Sequence, residues 1–264
     1  MIEVAIGDVH SRWEPFRTLL EKIGVITINS GDPMTDVRND GYRIHQLGDA
    51  VSLGYGEIEA NFYRYFWHIM GEDDVALLGN HELPAIWHDR SMDFNGVEDH
   101  DPEVWEMIRS YWKEDRLRAA SSVGDWLLTH AGLAASHQKH YEECSASELA
   151  YELDLELYRA IDERIPAQAH GPIAGMFEGS GGIFWARLDR NKYRTDKHMK
   201  QVFGHTPSNP DCINNMWRID TYPTQEFFDK KKAGLPVGKK DWGSCAALVW
   251  DNADADPRLV LPYE

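Results

Sequence analysis

Two kinds of apolar pattern alternate over the first eighty residues. Ile2 to Ile6 is a short, mostly apolar and partly β-branched run that stops at Gly7, the pattern of a buried strand. Beyond it Phe16, Leu19, Leu20 and Ile23 recur at helical spacing, with Pro15 suited to a first turn and Gly24 to a stop. Tyr42 to Leu47 and Val75 to Leu78 read as further strands ending at Gly48 and Gly79, and Glu57 to Met70 reads as a helix closed by Gly71. A strand, loop, helix, strand rhythm predicts parallel pairing through crossover helices, so the N-terminal half is expected to be α/β.

Farther along, Asp101-Pro102 has the form of a cap and first turn for a helix reaching about Lys113, and Trp126 to Thr129 resembles another strand. Ser145 and Glu148 stand at capping-box spacing before Leu149, Leu153, Leu157 and Ile161, one apolar helix face that Pro166 ends and that reads as core. Ala167 to Gly182 is glycine-rich and reads as a loop. Short strands then recur at Gln201 to Phe203, Trp217 to Asp220 and Ala246 to Trp250, which predicts a second sheet built mainly from the C-terminal half. With no internal repeat and no clear linker, the expectation is a single domain over residues 1–264.

Composition narrows the classes. A hydrophobic share of 42%, with 21 glycines and 12 prolines in 264 residues, permits a packed core and excludes collagen-like or disordered chains. The 27 basic against 44 acidic residues give a formal charge of −17, which repels polyanions. A long nucleic-acid groove or an anionic membrane surface is therefore not an expected partner. Lys230, Lys231, Lys232, Lys239 and Lys240 lie among Gly234, Pro236 and Gly238 and read as a solvated loop. Cys144, Cys212 and Cys245 are odd in number and contain no CxxC pair, which argues against a disulfide framework or a thiolate zinc site and fits a reducing cytoplasm. The stretch MIEVAIGDVH lacks a basic n-region and a long apolar h-region, and no apolar run approaches the roughly 18 residues of a membrane span. The expectation is a soluble, cytoplasmic protein.

The strand ends carry the chemistry. After the first comes Gly7-Asp8-Val9-His10, in which residues two apart can point to the same side and share a metal ion. After the others come Gly48-Asp49, Gly79-Asn80-His81-Glu82, Thr129-His130-Ala131-Gly132 and Gly204-His205-Thr206. Loops at the carboxyl ends of parallel strands line one crevice, so these residues can converge although they span about two hundred positions. Glycine beside most of them lets the backbone turn sharply and approach closely. Oxygen and imidazole donors without thiolate suit Mn, Fe, Zn, Co or Ni. To hold two ions with so few side chains one ligand must be shared, and Asp49 is the natural bridge. Two cations roughly 3.5–4 Å apart suit hydrolytic phosphoester chemistry.

GDVH, GD, GNHE, THAG and GHT in this order resemble the motifs of the calcineurin-like metallophosphoesterase superfamily over about residues 2–206. The resemblance implies a four-layer α/β/β/α sandwich with two mixed β-sheets and a site at the sheet ends. It implies two divalent or mixed-valence transition-metal ions, Mn foremost, with Asp8, His10 and Asp49 on the first and Asp49, Asn80, His130 and His205 on the second. It further implies a metal-bridging hydroxide attacking phosphorus, with His81 facing the substrate and protonating the leaving oxygen, as a group titrating near neutrality can. Glu82 is expected to support the site structurally. Trp185-Ala186-Arg187 stands where phosphoprotein phosphatases and symmetrical diadenosine tetraphosphate hydrolases carry a phosphate-binding arginine, which makes Arg187 the candidate clamp.

The second motif departs from the GDxVDRG of the phosphoprotein phosphatases: Ser52 and Leu53 stand where that branch has an aspartate and an arginine. Arg12, two residues past His10, is the candidate for the missing positive charge at the substrate, and Ser11 replaces a glycine of the first motif. Pro207 stands where nucleases and cyclic phosphodiesterases of the superfamily have a second histidine, which ranks diesterase activity below monoester or pyrophosphate hydrolysis. The expected activity is a metal-dependent phosphatase acting on a phosphorylated small molecule or a Ser/Thr phosphoprotein. The alternatives are a diadenosine tetraphosphate hydrolase, which would take a dinucleoside polyphosphate, and a catalytically inactive binding scaffold of the same fold, against which the intact His81 counts. The remaining histidines and most of the ten tryptophans read as surface or core.

Overall fold

The computed structural model describes residues 1–29, 31–51, 57–86, 101–134, 137, 141, 143–162, 182–184, 186, 199–206, 210–220, 230, 233–235 and 245–263. Strand β1 (Ile2–Ile6) leads into helix α1 (Trp13–Ile23), and a small hairpin-like pair, β2 (Ile26–Thr27) and β3 (Val37–Arg38), precedes β4 (Tyr42–Gln46). Helix α2 (Glu57–Ile69) crosses back to β5 (Val75–Leu77), and α3 (Leu83–Ile86) and α4 (Pro102–Lys113) to β6 (Leu117–Arg118). Then come β7 (Ala120–Val123), β8 (Trp126–Thr129), α5 (Ala146–Asp162), β9 (Lys200–Phe203), β10 (Asp211–Ile213), β11 (Met216–Arg218), β12 (Ala247–Trp250) and β13 (Arg258–Val260).

These strands form a six-stranded sheet of order β13-β12-β1-β4-β5-β6 and a five-stranded sheet of order β10-β11-β9-β8-β7. Both are mixed. In the first, β1, β4, β5 and β6 run parallel while β12 pairs antiparallel to β1; in the second, β8, β9 and β11 run parallel between antiparallel edges. The chain is thus α/β, as its apolar patterning anticipates, with the mixed sheets that the family resemblance implies.

The period of two in β1 decides what each face touches. Val4 and Ile6 join Phe16, Leu19 and Leu20 of α1 and Phe62 and Phe66 of α2 in one buried cluster. Ala5 faces the other way, into a second cluster in which Leu47, Leu77, Leu248 and Trp250 of the first sheet meet Val123, Trp126, Leu128 and Val202 of the second. The two sheets therefore share a core. A polar strut crosses it, with His45 on β4 bonded to Glu3 at 2.8 Å and to Ser121 of the other sheet at 2.7 Å.

Local signals fix several ends. Asp101 caps α4 by accepting from the Glu103 N–H at 2.9 Å, and Ser145 with Glu148 closes the capping box of α5. Helix α1 begins at Trp13, ahead of Pro15, with Arg12 at its N-cap and no side-chain cap, so Pro15 falls inside the first turn. One sheet assignment is corrected: Ala247–Trp250 lies in the first sheet beside β1, and the second sheet takes β7 and β8 from before the chain's midpoint. Strand pairing is a long-range choice that local apolar spacing does not encode. Among the described residues no helix is long and apolar enough to cross a membrane.

Helix α5 is stapled to the second sheet by Asp154, whose carboxylate accepts from the Ala119 N–H at 2.6 Å. Burial pushes its pKa up to about 6, against the backbone donors and Arg118, which favour the charged form. A carboxyl raised on folding contributes stability that is complete below its unfolded pKa, about 3.8, and is lost as pH rises through about 6. Asp154→Asn keeps an acceptor without the charge. It is expected to be roughly 1–3 kcal/mol more stable than the parent at pH 7, with the advantage vanishing toward pH 4, in urea unfolding at the two pH values.

Candidate metal centre

The six candidate ligands sit just past strand ends, and at three of them the backbone is held in a conformation that side chains rarely adopt. His10, Ser11, Asp49 and His205 have φ of 50°, 56°, 52° and 63°. Left-handed backbone at a non-glycine residue costs of order 1–3 kcal/mol and persists only when neighbours over-determine it. Here they do: the Asp49 carbonyl accepts from the N–H groups of Val9 at 3.1 Å and His10 at 2.8 Å, and the Ala50 carbonyl accepts from Ser11 at 2.8 Å. The first two motif loops are thereby knitted together. Gly79 and Gly204 serve a different need, that of space. A Cβ on Gly79 would lie 2.1 Å from Asp49 Oδ1, and one on Gly204 would lie 1.9 Å from Asp8 Oδ1.

Asp49 stands at the centre. Its Oδ1 accepts from the His81 backbone N–H at 3.0 Å, and its Oδ2 lies 4.0 Å from His10 Nε2, 3.7 Å from His81 Nε2 and 3.6 Å from His130 Nε2. Two trios, His10-Asp49-His81 and Asp49-His130-His205, each bring their donor atoms within 4.8 Å of one another, and both contain Asp49. Asn80 Oδ1 joins the second trio, 2.9 Å from His130 Nε2 and 2.8 Å from His205 Nδ1. Asp8 Oδ2 lies 3.8 Å from His10 Nε2, and both Asp8 oxygens accept from the His205 N–H at 3.1 Å. All six candidate ligands are therefore gathered in one place. His81, expected to face substrate, stands against His10 with ring centroids 5.0 Å apart.

Supporting groups orient these donors. His130 Nδ1 lies 2.8 Å from the Leu47 carbonyl, which can only accept, so that nitrogen carries the proton and Nε2 is left as the donor toward a metal. Glu82 accepts from the N–H groups of Asp49 at 2.9 Å, Val51 at 3.1 Å and Gly79 at 2.9 Å, which makes it the clasp between the second and third loops. Arg12 donates from Nε to the Val9 carbonyl at 2.9 Å and from Nη2 to the Asp8 carbonyl at 3.2 Å, so its guanidinium braces the first loop.

The electrostatics fit cations. Burial, reinforced by the Asp220 and Asp49 carboxylates, pushes Asp8 well above the usual carboxylate range. Burial likewise pushes Glu82 up to about 7, with Asp49 adding to it, and drives His10 and His130 well below the usual imidazole range. Neutral imidazoles facing buried carboxylates are donors for a divalent ion, and oxygen and nitrogen without sulfur is the donor set expected for Mn, Fe, Zn, Co or Ni.

Arg187 and Trp185, with Ser52 and Leu53, lie outside the described residues. The one described residue between the first two, Ala186, is buried in a small cluster with Ala131 and Phe203, next to His130 and Gly204. Asp220, 1% exposed and close enough to raise Asp8, belongs to no motif, and its only sequence signal was an acid at the end of an apolar run.

With so little room beside it, Gly204→Ala displaces the Asp8 carboxylate. The expected outcome is a protein with parent-like circular dichroism whose Mn or Zn uptake, counted after dialysis by elemental analysis, falls short of the parent's.

A family model described as calcineurin-like phosphoesterase matches residues 4–217. A search of curated proteins finds no match. Among solved structures, the chain is similar to a protein serine/threonine phosphatase from Saccharomyces cerevisiae with similarity to human phosphatase PP5, at 13% identity and a TM-score of 0.55, over 100% of this chain and 81% of that one. It is also similar to a protein assigned by inference as a diadenosine tetraphosphatase, at 14% identity and a TM-score of 0.49, over 98% and 93% of the two chains. At 13% identity the likeness to the phosphatase speaks for fold alone. The family match covers most of the chain and spans every motif loop described above, and the chain belongs to the calcineurin-like phosphoesterases.

Proposed function

We propose that the chain, as a single catalytic domain over residues 1–264, is a phosphatase with two metal ions, hydrolysing phosphomonoesters on small molecules or on Ser/Thr phosphoproteins. The observation that carries this reading is Asp49 Oδ2 standing within 4.0 Å of Nε2 on His10, His81 and His130. A carboxylate so placed is suited to bridge two ions. Asp8, His10 and Asp49 would hold one and Asp49, Asn80, His130 and His205 the other, and when bound the pair supplies Lewis acidity toward phosphoryl oxygens. Manganese is the proposed metal. His81 would pass its proton to the leaving oxygen, its loop fixed by the bond from its own N–H to Asp49.

Two guanidinium groups are assigned to phosphate. Arg187 is assigned from its Trp-Ala-Arg pattern. Arg12 would add positive charge beside His10, its position set by the loop carbonyls it braces. The three cysteines are unpaired, which supports a cytoplasmic setting.

The test is product analysis of Mn-loaded protein offered a phosphopeptide and diadenosine tetraphosphate in parallel. Phosphate release from the peptide is expected. His81→Asn should lose about 10²–10⁴-fold in turnover with both ions retained. Asp49→Asn should lose ions and turnover together. ADP from the dinucleotide alone would replace the phosphoprotein assignment with a nucleotide one, and retained turnover in both variants would overturn the roles given to His81 and Asp49. A metal-loaded parent inert toward both substrates would return the binding-scaffold reading.

A further inference from the structure

One more buried carboxylate, Asp220, lies at the candidate centre without belonging to its motifs. Strand β11 runs parallel to β9 with Arg218 opposite Phe203, and the Ile219 N–H continues the ladder by donating to the Phe203 carbonyl at 3.0 Å. Two residues past Arg218, Asp220 is carried to the level of His205, which stands two residues past Phe203. The first sheet closes on the same place. A Cβ on Gly7 would meet the Ile219 carbonyl oxygen at 2.2 Å, so the two backbones touch just before Asp8 and Asp220, the residue that follows each.

Asp8 and Asp220 are both 1% exposed. The contact between Gly7 and the Ile219 carbonyl sets the two acidic residues next to each other. Burying two like charges side by side is costly unless a cation compensates them. Asp8 meanwhile keeps its orientation, because both of its oxygens accept from the His205 N–H. The arrangement makes sense when a positive charge sits on the far side of Asp8, where His10 Nε2 lies 3.8 Å from Asp8 Oδ2.

We propose that Asp220 is a positioning carboxylate of the metal centre, deepening the negative potential behind Asp8 and strengthening the binding of the ion on the Asp8 and His10 side. Carboxylates that back up first ligands commonly contribute 10- to 100-fold in metal affinity. This rests on the two-ion reading, and the experiment separates the two claims.

Full-length protein stripped with chelator is titrated with Mn²⁺ and with Zn²⁺ by calorimetry, alongside Asp220→Asn. The parent should take up two ions. In the variant one affinity should fall about 10- to 100-fold while the other stays within about threefold, and the metal-free melting temperature should stay within about 5 °C of the parent's. A double-mutant cycle gives the second check: on an Asp8→Asn background, Asp220→Asn should weaken that ion far less than it does in the parent. Two unchanged affinities, equal loss of both ions, or a metal-free melting temperature lowered by more than about 5 °C would each overturn the role of Asp220. A parent that takes up fewer than two ions would overturn the two-ion reading itself.

Discussion

Asp49 is gripped through its backbone as well as its side chain. Its N–H is held by Glu82, its carbonyl by two N–H groups of the first loop, and its Oδ1 by the backbone of His81, while Oδ2 faces three imidazoles. The left-handed conformation at φ 52° is what permits all of this at once, since it turns the carbonyl back toward Val9 and His10 while the carboxylate points into the centre. The strain and the hydrogen bonds are two sides of one device. Three loops from three parallel strands are fixed relative to each other through a single residue, and the site inherits that rigidity.

Around this residue the sheets act as a frame. Parallel β1, β4 and β5 deliver Asp8, Asp49 and Asn80 at one edge, and β8 and β9 of the second sheet deliver His130 and His205. The sheets are held in register by interdigitated apolar side chains such as Leu128, Val202 and Trp250. The two donor sets would drift apart without that shared core, so the inter-sheet packing matters to the site as much as any hydrogen bond does.

Much of this could be read from the sequence, for identifiable reasons. Strand ends, most of them marked by glycine, pointed to the six residues that the fold gathers around Asp49, and the caps at Asp101 and Ser145 were local enough to be read correctly. The reason for the glycines was only partly visible. Turning was expected of them, whereas Gly79 and Gly204 are needed for the space beside Asp49 and Asp8, and His10, Asp49 and His205 bear the unusual backbone themselves. The destination of β12 and the approach of Asp220 to Asp8 could not be read, because both depend on which distant strands pair. For Arg12 the sequence offered only charge near a motif, and the structure adds that two of its donors are turned to loop carbonyls.

The position of β12 has a consequence for how the protein is made. Residues 247–250 lie beside residues 3–6, and the Gly7 N–H, at the root of the first loop, donates to the Ala246 carbonyl at 3.0 Å. Strand β1 therefore waits for a partner made about 240 residues later before its outer edge is covered. At synthesis rates of about 5–20 residues per second that interval lasts on the order of ten seconds or more, during which β1 presents an unpaired apolar edge. Completion of the centre is thus a late event in the life of the nascent chain, and the exposed edge of β1 is where a chaperone would have most to protect.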